Sequence, residues 1–291
     1  MIIAFNLLNF ESNNIDGVGY VVKRILNVLQ RHESANRYLL MVPASFQCES
    51  VLDIYNTSYF QVVRFPNLNN RISRVLYKFF VFPLTLSKYK VDVVYSPAPP
   101  ISPFIPRKYG VVTTIHDVNP LRVDRKQGVI YKYYYKLIIK LGLLRSDYLL
   151  AVSNNTKKDI LEIFKVDGSN MVVMHNFITG KTYTPYPSEN FFISVSTIQP
   201  GKNLERTILA FKLFLNSCGD KSFRLYIIGR DGWGAEELRA LTVRLGVADN
   251  VIFTGYLIEE ELEQYYRKCS ALVYCSLYEG FGLPPLEAMY Y

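Results

Sequence analysis

Apolar residues fall into short blocks separated by longer amphipathic stretches, and this alternation sets the expected architecture. IIAFNLL near the start reads as a buried strand, ESNNIDGVGY as a polar loop and YVVKRILNVLQRH as an amphipathic helix. YLLMVP, YFQVVRF and VDVVYSPAPP continue the strand series. Before the last of these, NRISRVLYKFFVFPLTLSKYK reads as a helix that Pro83 ends or kinks. VVTTI is short and β-branched, hence a strand. RVDRKQGVIYKYYYKLIIKLGLLRS reads as a second basic and aromatic helix, with Lys132, Lys136, Lys140 and Arg145 spaced at three to five residues and the lysines on one face. The strand DYLLAVS, a helix capped by Ser153 or Asn154, and MVVMHN close a first domain, assigned to residues 1–182. His175 and Asn176 mark its exit, and TGKTYTPYPSEN, polar with two prolines, reads as the linker.

Residues 183–291 repeat the pattern. FFISVS, FRLYII and VIFTG read as strands, each followed by a helix, and ALVYCSLY reads as a buried strand running into EGFGLPPLE. Strand alternating with helix in both halves predicts an α/β protein of two Rossmann-like domains facing one cleft. A length of 291 residues, 49% hydrophobic and 20% charged, supports two globular cores rather than a disordered chain. No run reaches the ~18 apolar residues that a membrane span needs. Cys48, Cys218, Cys269 and Cys275 show neither CxxC pairing nor metal-ligand spacing with the histidines, so a reduced, cytoplasmic setting is expected and no metal site.

Charge divides unevenly. Residues 1–182 carry 23 Lys and Arg against 12 Asp and Glu, whereas residues 183–291 carry 10 against 13, so the basic half should face something anionic. Zinc-finger spacing, RNP-like strings and an evident recognition helix are absent, which argues against nucleic acid. An anionic bilayer surface or a lipid pyrophosphate explains the excess as well or better. For the two basic and aromatic helices, docking at the inner membrane face is the sharper expectation and a solvated face over a packed helix the plainer one.

Candidate chemistry gathers at strand ends. Glu279 and Glu287 are separated by seven residues that include Gly280, Phe281, Gly282 and two prolines, and Glu287 is expected in the first turn of a helix. Glycines allow close approach to a ligand, and a helix start attracts anions, while paired carboxylates accept hydrogen bonds from hydroxyls. A sugar nucleotide has both features. On residues alone the string is equally an ordinary helix start. His116 and Asp117 fall at the end of VVTTI, where open α/β sheets place ligands; the plainer alternative is a ring held by a neighbouring carboxylate or carbonyl. Lys202 stands at a loop-to-helix entry and Arg230 at another strand end, both suited to phosphate, although a surface lysine is the default. Gly17 and Gly19 give GVG without the full GxGxxG, so a dinucleotide site is poorly supported, and a tight turn is the alternative.

The whole string EGFGLPPLE resembles the donor-binding signature of the retaining GT-B glycosyltransferases of family four, also described as glycosyl transferases group 1. The strand followed by His116-Asp117 and a proline, the valine-rich strand ending at Asn176, and PGKNLE at Lys202 resemble further features of that family, over nearly the whole chain. The resemblance implies an N-terminal acceptor-binding domain and a C-terminal nucleotide-sugar-binding domain. It implies transfer of a sugar from UDP-sugar or GDP-sugar to a saccharide or polyprenyl-linked acceptor in surface polysaccharide synthesis, with retained configuration, no cofactor and no metal. His116 would lie beside the reacting sugar. Glu279 with Gly280 to Gly282 would hold sugar and phosphate, Lys202 and Arg230 the pyrophosphate, Glu287 the ribose, and Tyr256 and Leu257 the base through their backbone. Gly17 and Gly19 would form the loop near the donor phosphates and acceptor. Gly201 replaces the family's arginine, and Ser196 or Thr197 stands where many members have another, so pyrophosphate neutralisation is weaker or uses a different residue. Family members continue beyond AMYY, which implies a C-terminally truncated second domain. The competing expectation is a degenerate protein that binds nucleotide sugar without turnover.

Overall fold

A computed structural model of the chain describes residues 1–10, 17–32, 35–47, 52, 59–67, 71–122, 129–179 and 187–291. Two compact units emerge: Met1–Leu121 with Lys126–Phe177 forms the first, and Ile178–Tyr291 the body of the second. The break falls beside His175 and Asn176. Residues 180–186 of the expected linker lie outside the described residues, as does Cys48, and Glu189 already opens a strand.

The first unit carries strands β1 (Ile2–Asn6), β2 (Arg37–Pro43), β3 (Phe60–Phe65), β4 (Val93–Ser96), β5 (Gly110–Ile115), β6 (Tyr148–Ala151) and β7 (Met171–Val173). They form one parallel sheet in the order β3-β2-β1-β4-β5-β6-β7. Parallel strands are buried on both faces, so successive residues feed two cores. Leu39 and Met41 pack with Ala4, Val94, Phe82 and Leu86 on one side. Leu40 and Val42 pack with Phe5, Tyr95, Val22 and Leu26 on the other. The second core is covered by α1 (Gly17–Arg31).

The first core is covered by an irregular helical stretch, α2 (residues 71–89), which passes through a π turn at Tyr77–Val81 and ends in a 3-10 turn at Leu86–Tyr89. Pro83 explains the irregularity: it has no N–H to donate to the carbonyl of Phe79, and that carbonyl instead accepts from the Ser102 hydroxyl at 2.7 Å.

Helix α3 (Val129–Arg145) turns Arg145 inward, away from its lysines. Arg145 is 3% exposed, and its guanidinium donates to the carbonyls of Ile105, Pro106 and Tyr109, pinning the loop before β5. Lys136 and Lys140 remain exposed, but so do Tyr133, Leu137, Leu141 and Leu144. Helix α4 (Asn154–Phe164) starts at Ser153, whose hydroxyl accepts from the Thr156 amide at 3.0 Å.

In the second unit β8 (Glu189–Val195), β9 (Arg224–Ile228), β10 (Val251–Gly255) and β11 (Cys269–Leu272) form a parallel sheet in the order β10-β9-β8-β11. Helices α5 (Leu204–Ser217) and α6 (Ala235–Arg244) cover one face, where Ile208, Phe211 and Ala235 meet Leu225 and Ile227. Helix α7 (Glu259–Lys268) covers the other, with Tyr266 packed among Phe191, Ile193 and Ile228. The last helix is α8 (Leu283–Tyr290). The reading of residues 271–278 as a buried strand is corrected. β11 ends at Leu272, pairs with β8 alone among the described residues, and has half-buried to exposed side chains, because an edge strand keeps only part of its surface from water.

Candidate functional site

Three loops meet at the carboxyl ends of β8, β9 and β10. The Ser196 amide donates to Ile228 O, the Gly229 amide to Gly255 O and the Ile198 amide to Arg230 O, at 2.9 to 3.0 Å. This approach requires glycine. A Cβ on Gly229, whose φ is 146°, would lie 2.1 Å from the Ser196 carbonyl oxygen, and one on Gly232 would lie 2.3 Å from that of Ile198. The Ser196 hydroxyl is buried there without a hydrogen-bond partner.

From Ile198 the chain makes a 3-10 turn over Pro200–Lys202 and enters α5 through Asn203, which holds φ at 57°. That turn is stitched to the segment after β11: the Leu277 amide donates to Gly201 O at 2.9 Å, and Asn203 Nδ2 to Cys275 O at 3.0 Å. The stitching brings Lys202 Nζ within 2.5 Å of Glu279 Oε1, with the two side chains 17% and 24% exposed. Two sequence-selected residues separated by 77 positions thus form one ion pair. A half-buried pair of this kind is held by its partner rather than by water, so either charge remains available to a ligand that replaces the other.

Glu287 lies one turn deeper than expected, because α8 opens at Leu283 and has no acidic residue in its first turn. Its carboxylate accepts from the Tyr266 hydroxyl at 2.9 Å. Gly280 is buried, and Gly282 at φ 91° provides the left-handed entry to α8. Pro284 and Pro285 occupy the first turn and remove two of its four free amides, so backbone donors for an anion come chiefly from the loop preceding the helix. Tyr274 donates to Glu279, and burial, then the Glu279 charge, raises its hydroxyl pKa far above the ordinary value. Burial, followed by the Glu287 charge, does the same to Tyr266. Both tyrosines were missed from the sequence: Tyr266 is 21 residues from its carboxylate, with no local spacing to signal the bond.

Arg230 and Tyr256 are both exposed, with the guanidinium 4.7 Å from the ring centroid. Leu257 turns its side chain into the core beneath α7, which leaves only its backbone for a ligand.

In the first unit His116 sits at the end of β5. Its Nε2 is 2.9 Å from Pro97 O, and since a carbonyl only accepts, Nε2 carries the proton. The ring is therefore held by a carbonyl of the loop after β4. Asp117 accepts from the Asn119 amide at 2.9 Å and starts the turn at Asn119–Arg122. Gly17 and Gly19 are not on a loop: both belong to the first turn of α1, with Gly19 buried, since the apolar face of that helix extends one turn earlier than Tyr20. Residues 11–16, the rest of the expected glycine loop, lie outside the described residues. Among the described residues no group of three or more His, Cys, Asp or Glu side chains could hold a metal, and no helix is long and apolar enough to cross a membrane.

A family model described as Glycosyltransferase Family 4 matches residues 15–179, and one described as Glycosyl transferases group 1 matches residues 181–291. The O-antigen chain mannosyltransferase RfbU of Salmonella typhimurium is 32% identical over 187 residues, covering 64% of this chain and 51% of that protein. O-antigen chain mannosyltransferase B of Escherichia coli is 26% identical over 192 residues, covering 61% and 50%. The chain thus spans about half the length of these relatives. Among solved structures, Anabaena Alr3699/HepE in complex with UDP and glucose has a TM-score of 0.72 at 16% identity, covering 99% of this chain and 77% of that one. The apo lipopolysaccharide outer core galactosyltransferase WaaB has a TM-score of 0.66 at 18% identity, covering 100% and 78%. These similarities show the fold, the GT-B architecture expected from the sequence.

Proposed function

Because this chain belongs to glycosyltransferase family 4, with the group 1 model over its second unit, we propose that it transfers a sugar from a nucleoside-diphosphate sugar in surface polysaccharide synthesis. The observation that carries the reading is the Lys202–Glu279 pair at the carboxyl edge of the second sheet. A diphosphate entering there takes Lys202 as its counter-ion, and the released Glu279 carboxylate accepts from sugar hydroxyls. Glu287 takes the ribose, loop amides from Gly280 to Gly282 the phosphates, and Arg230 a second phosphate oxygen. The backbone at Tyr256 and Leu257 takes the base. His116 in the first unit is assigned to the transfer step, and Gly17 and Gly19 to the acceptor side. Mannose as the sugar and GDP as its carrier are favoured by relatives whose names specify mannosyltransferases, one of them for GDP-Man. Transfer proceeds with retention and without metal, to a saccharide or polyprenyl-linked acceptor.

Calorimetry with GDP, UDP and their sugars tests this reading. Lys202→Ala and Glu287→Gln should each weaken nucleotide binding by about tenfold or more, the loss of one charge-assisted contact. Unchanged affinity in both removes the assignment. Binding without turnover of any donor favours the alternative of a protein that has kept the donor pocket alone, a reading supported by Gly201 and by Ser196 or Thr197 at positions where the family resemblance expects arginines.

We further propose that the first unit docks on an anionic membrane surface. Support comes from the outer stripe of α3, where Tyr133, Leu137 and Leu144 are 72%, 57% and 56% exposed beside Lys136 and Lys140. Phe80 and Phe104, both exposed, stack at 4.9 Å in the same unit. Sedimentation with anionic vesicles should recover the protein in a salt-sensitive manner, and Leu137→Glu/Leu144→Glu should reduce recovery; equal recovery with neutral vesicles would count against docking.

A further inference from the structure

Glu287 sits on a helix that reaches the core only through partly buried side chains such as Ala288. Helix α8 has eight residues and, among the described residues, fully buries none of them. Tyr266 adds a specific hold on the Glu287 carboxylate. It is 5% exposed, belongs to the core formed with Phe191, Ile193 and Ile228, and donates its hydroxyl to Glu287 Oε2 at 2.9 Å. Its ring also stacks on Tyr291, just past the end of α8, with centroids 5.6 Å apart and 13° between planes. One residue of α7 thereby fixes both the end of α8 and the carboxylate on it. A glutamate free to sample rotamers surrenders that freedom when it binds a ligand, which weakens binding. A carboxylate already held from behind loses less.

We propose that Tyr266 is a positioning residue of the donor site: its hydroxyl holds the Glu287 carboxylate in the orientation that accepts the hydroxyls of the nucleotide ribose. The inference rests on the reading of Glu287 as the ribose-binding residue. Burial and the adjacent carboxylate keep the Tyr266 hydroxyl protonated, so it acts toward Glu287 as a donor throughout the physiological range. Its phenyl ring alone would fill the core equally well, so the hydroxyl is the part that demands a function.

The experiment compares a nucleoside diphosphate with its 2′,3′-dideoxy analogue, by calorimetry, on wild type, Tyr266→Phe, Glu287→Gln and the double variant. Wild type should prefer the ribonucleotide by about tenfold, the scale of a charge-assisted hydrogen bond. Tyr266→Phe should cut that preference to about threefold or less while leaving affinity for the dideoxy analogue unchanged, an outcome that general loosening of the fold would not give. The double variant should bind no more weakly than Glu287→Gln, because both changes act through one contact. Full ribose preference in Tyr266→Phe overturns the positioning role while the reading of Glu287 stands. Absence of preference in wild type, or its survival in Glu287→Gln, overturns the reading and the positioning role with it. Should Tyr266→Phe fail to fold, Glu287→Asp, which draws the carboxylate away from Tyr266, replaces it; undiminished preference there is equally fatal.

Discussion

The two sheets share a strand order and use its carboxyl edge differently. The first four strands of each unit lie in the order third, second, first, fourth, all parallel. In the first unit the polar groups at that edge bond to nearby neutral groups: His116 to the Pro97 carbonyl, Asp117 to the Asn119 amide, and Tyr95 to Thr114 across the sheet at 2.9 Å. In the second the edge carries the Lys202–Glu279 pair on loops held at glycine distance. A common topology therefore surrounds these strand-end groups with neutral partners in one case, where the Asn119 and Asn176 side-chain oxygens are buried without a hydrogen-bond partner, and carries a charge pair in the other. Strand order places the edge, and a handful of loop residues decides what it binds.

The comparison breaks most sharply at the glycines. Gly229→Ala forces a methyl into the Ser196 carbonyl at a φ that side chains rarely adopt, and should cost about 3 kcal/mol or more in urea unfolding of the second unit. Gly17→Ala, with nothing within 4 Å of the added carbon, should change stability by at most about 1 kcal/mol, the helix-propensity scale. Similar losses at both positions would erase the contrast between the units.

Arg145→Met should cost about 3 kcal/mol, because it strips three carbonyls of a shared buried donor. Nucleotide affinity should stay unchanged in the same titration, since that cation serves only the fold. A change in affinity would place a ligand-linked charge in the first unit as well. His116→Ala should lose about 1 kcal/mol from the Pro97 contact and most turnover, yet keep nucleotide affinity within about twofold. A fall comparable to that of Lys202→Ala would mean that both edges grip the donor.

The smallest effect concerns alkaline pH, where the units should behave alike. Burial raises the pKa of Tyr95 in one unit and of Tyr266 and Tyr274 in the other above the unfolded value of about 10. The stabilisation is fully present below that value and is lost as pH rises further, because the unfolded chain then releases protons that the folded one retains. Melting temperatures measured from pH 9 upward should decline, and Tyr95→Phe and Tyr266→Phe should each flatten the decline.

Much of this was legible in the chain. Continuous apolar blocks such as YLLMV, too short for a helix, read as strands buried on both faces, and the loop residues at their ends follow in order. Glu279 and Lys202 were each identifiable, but their bond was not, since nothing local tells residue 202 that residue 279 returns beside it. Register and depth were equally hidden. The period of α1 runs on through two glycines, placing Gly17 and Gly19 in a helix, and two prolines put Glu287 a turn later than the string suggests. Arg145 was grouped with the lysines by spacing alone, and nothing in that spacing records the carbonyls of Ile105, Pro106 and Tyr109 that meet it on the inner side.

The backbone stitch from Leu277 to Gly201 makes one proton a gauge of the whole pocket. Any guest that clamps the lysine turn against the acidic loop must slow deuterium uptake at that amide, whereas one that settles elsewhere leaves its clock running.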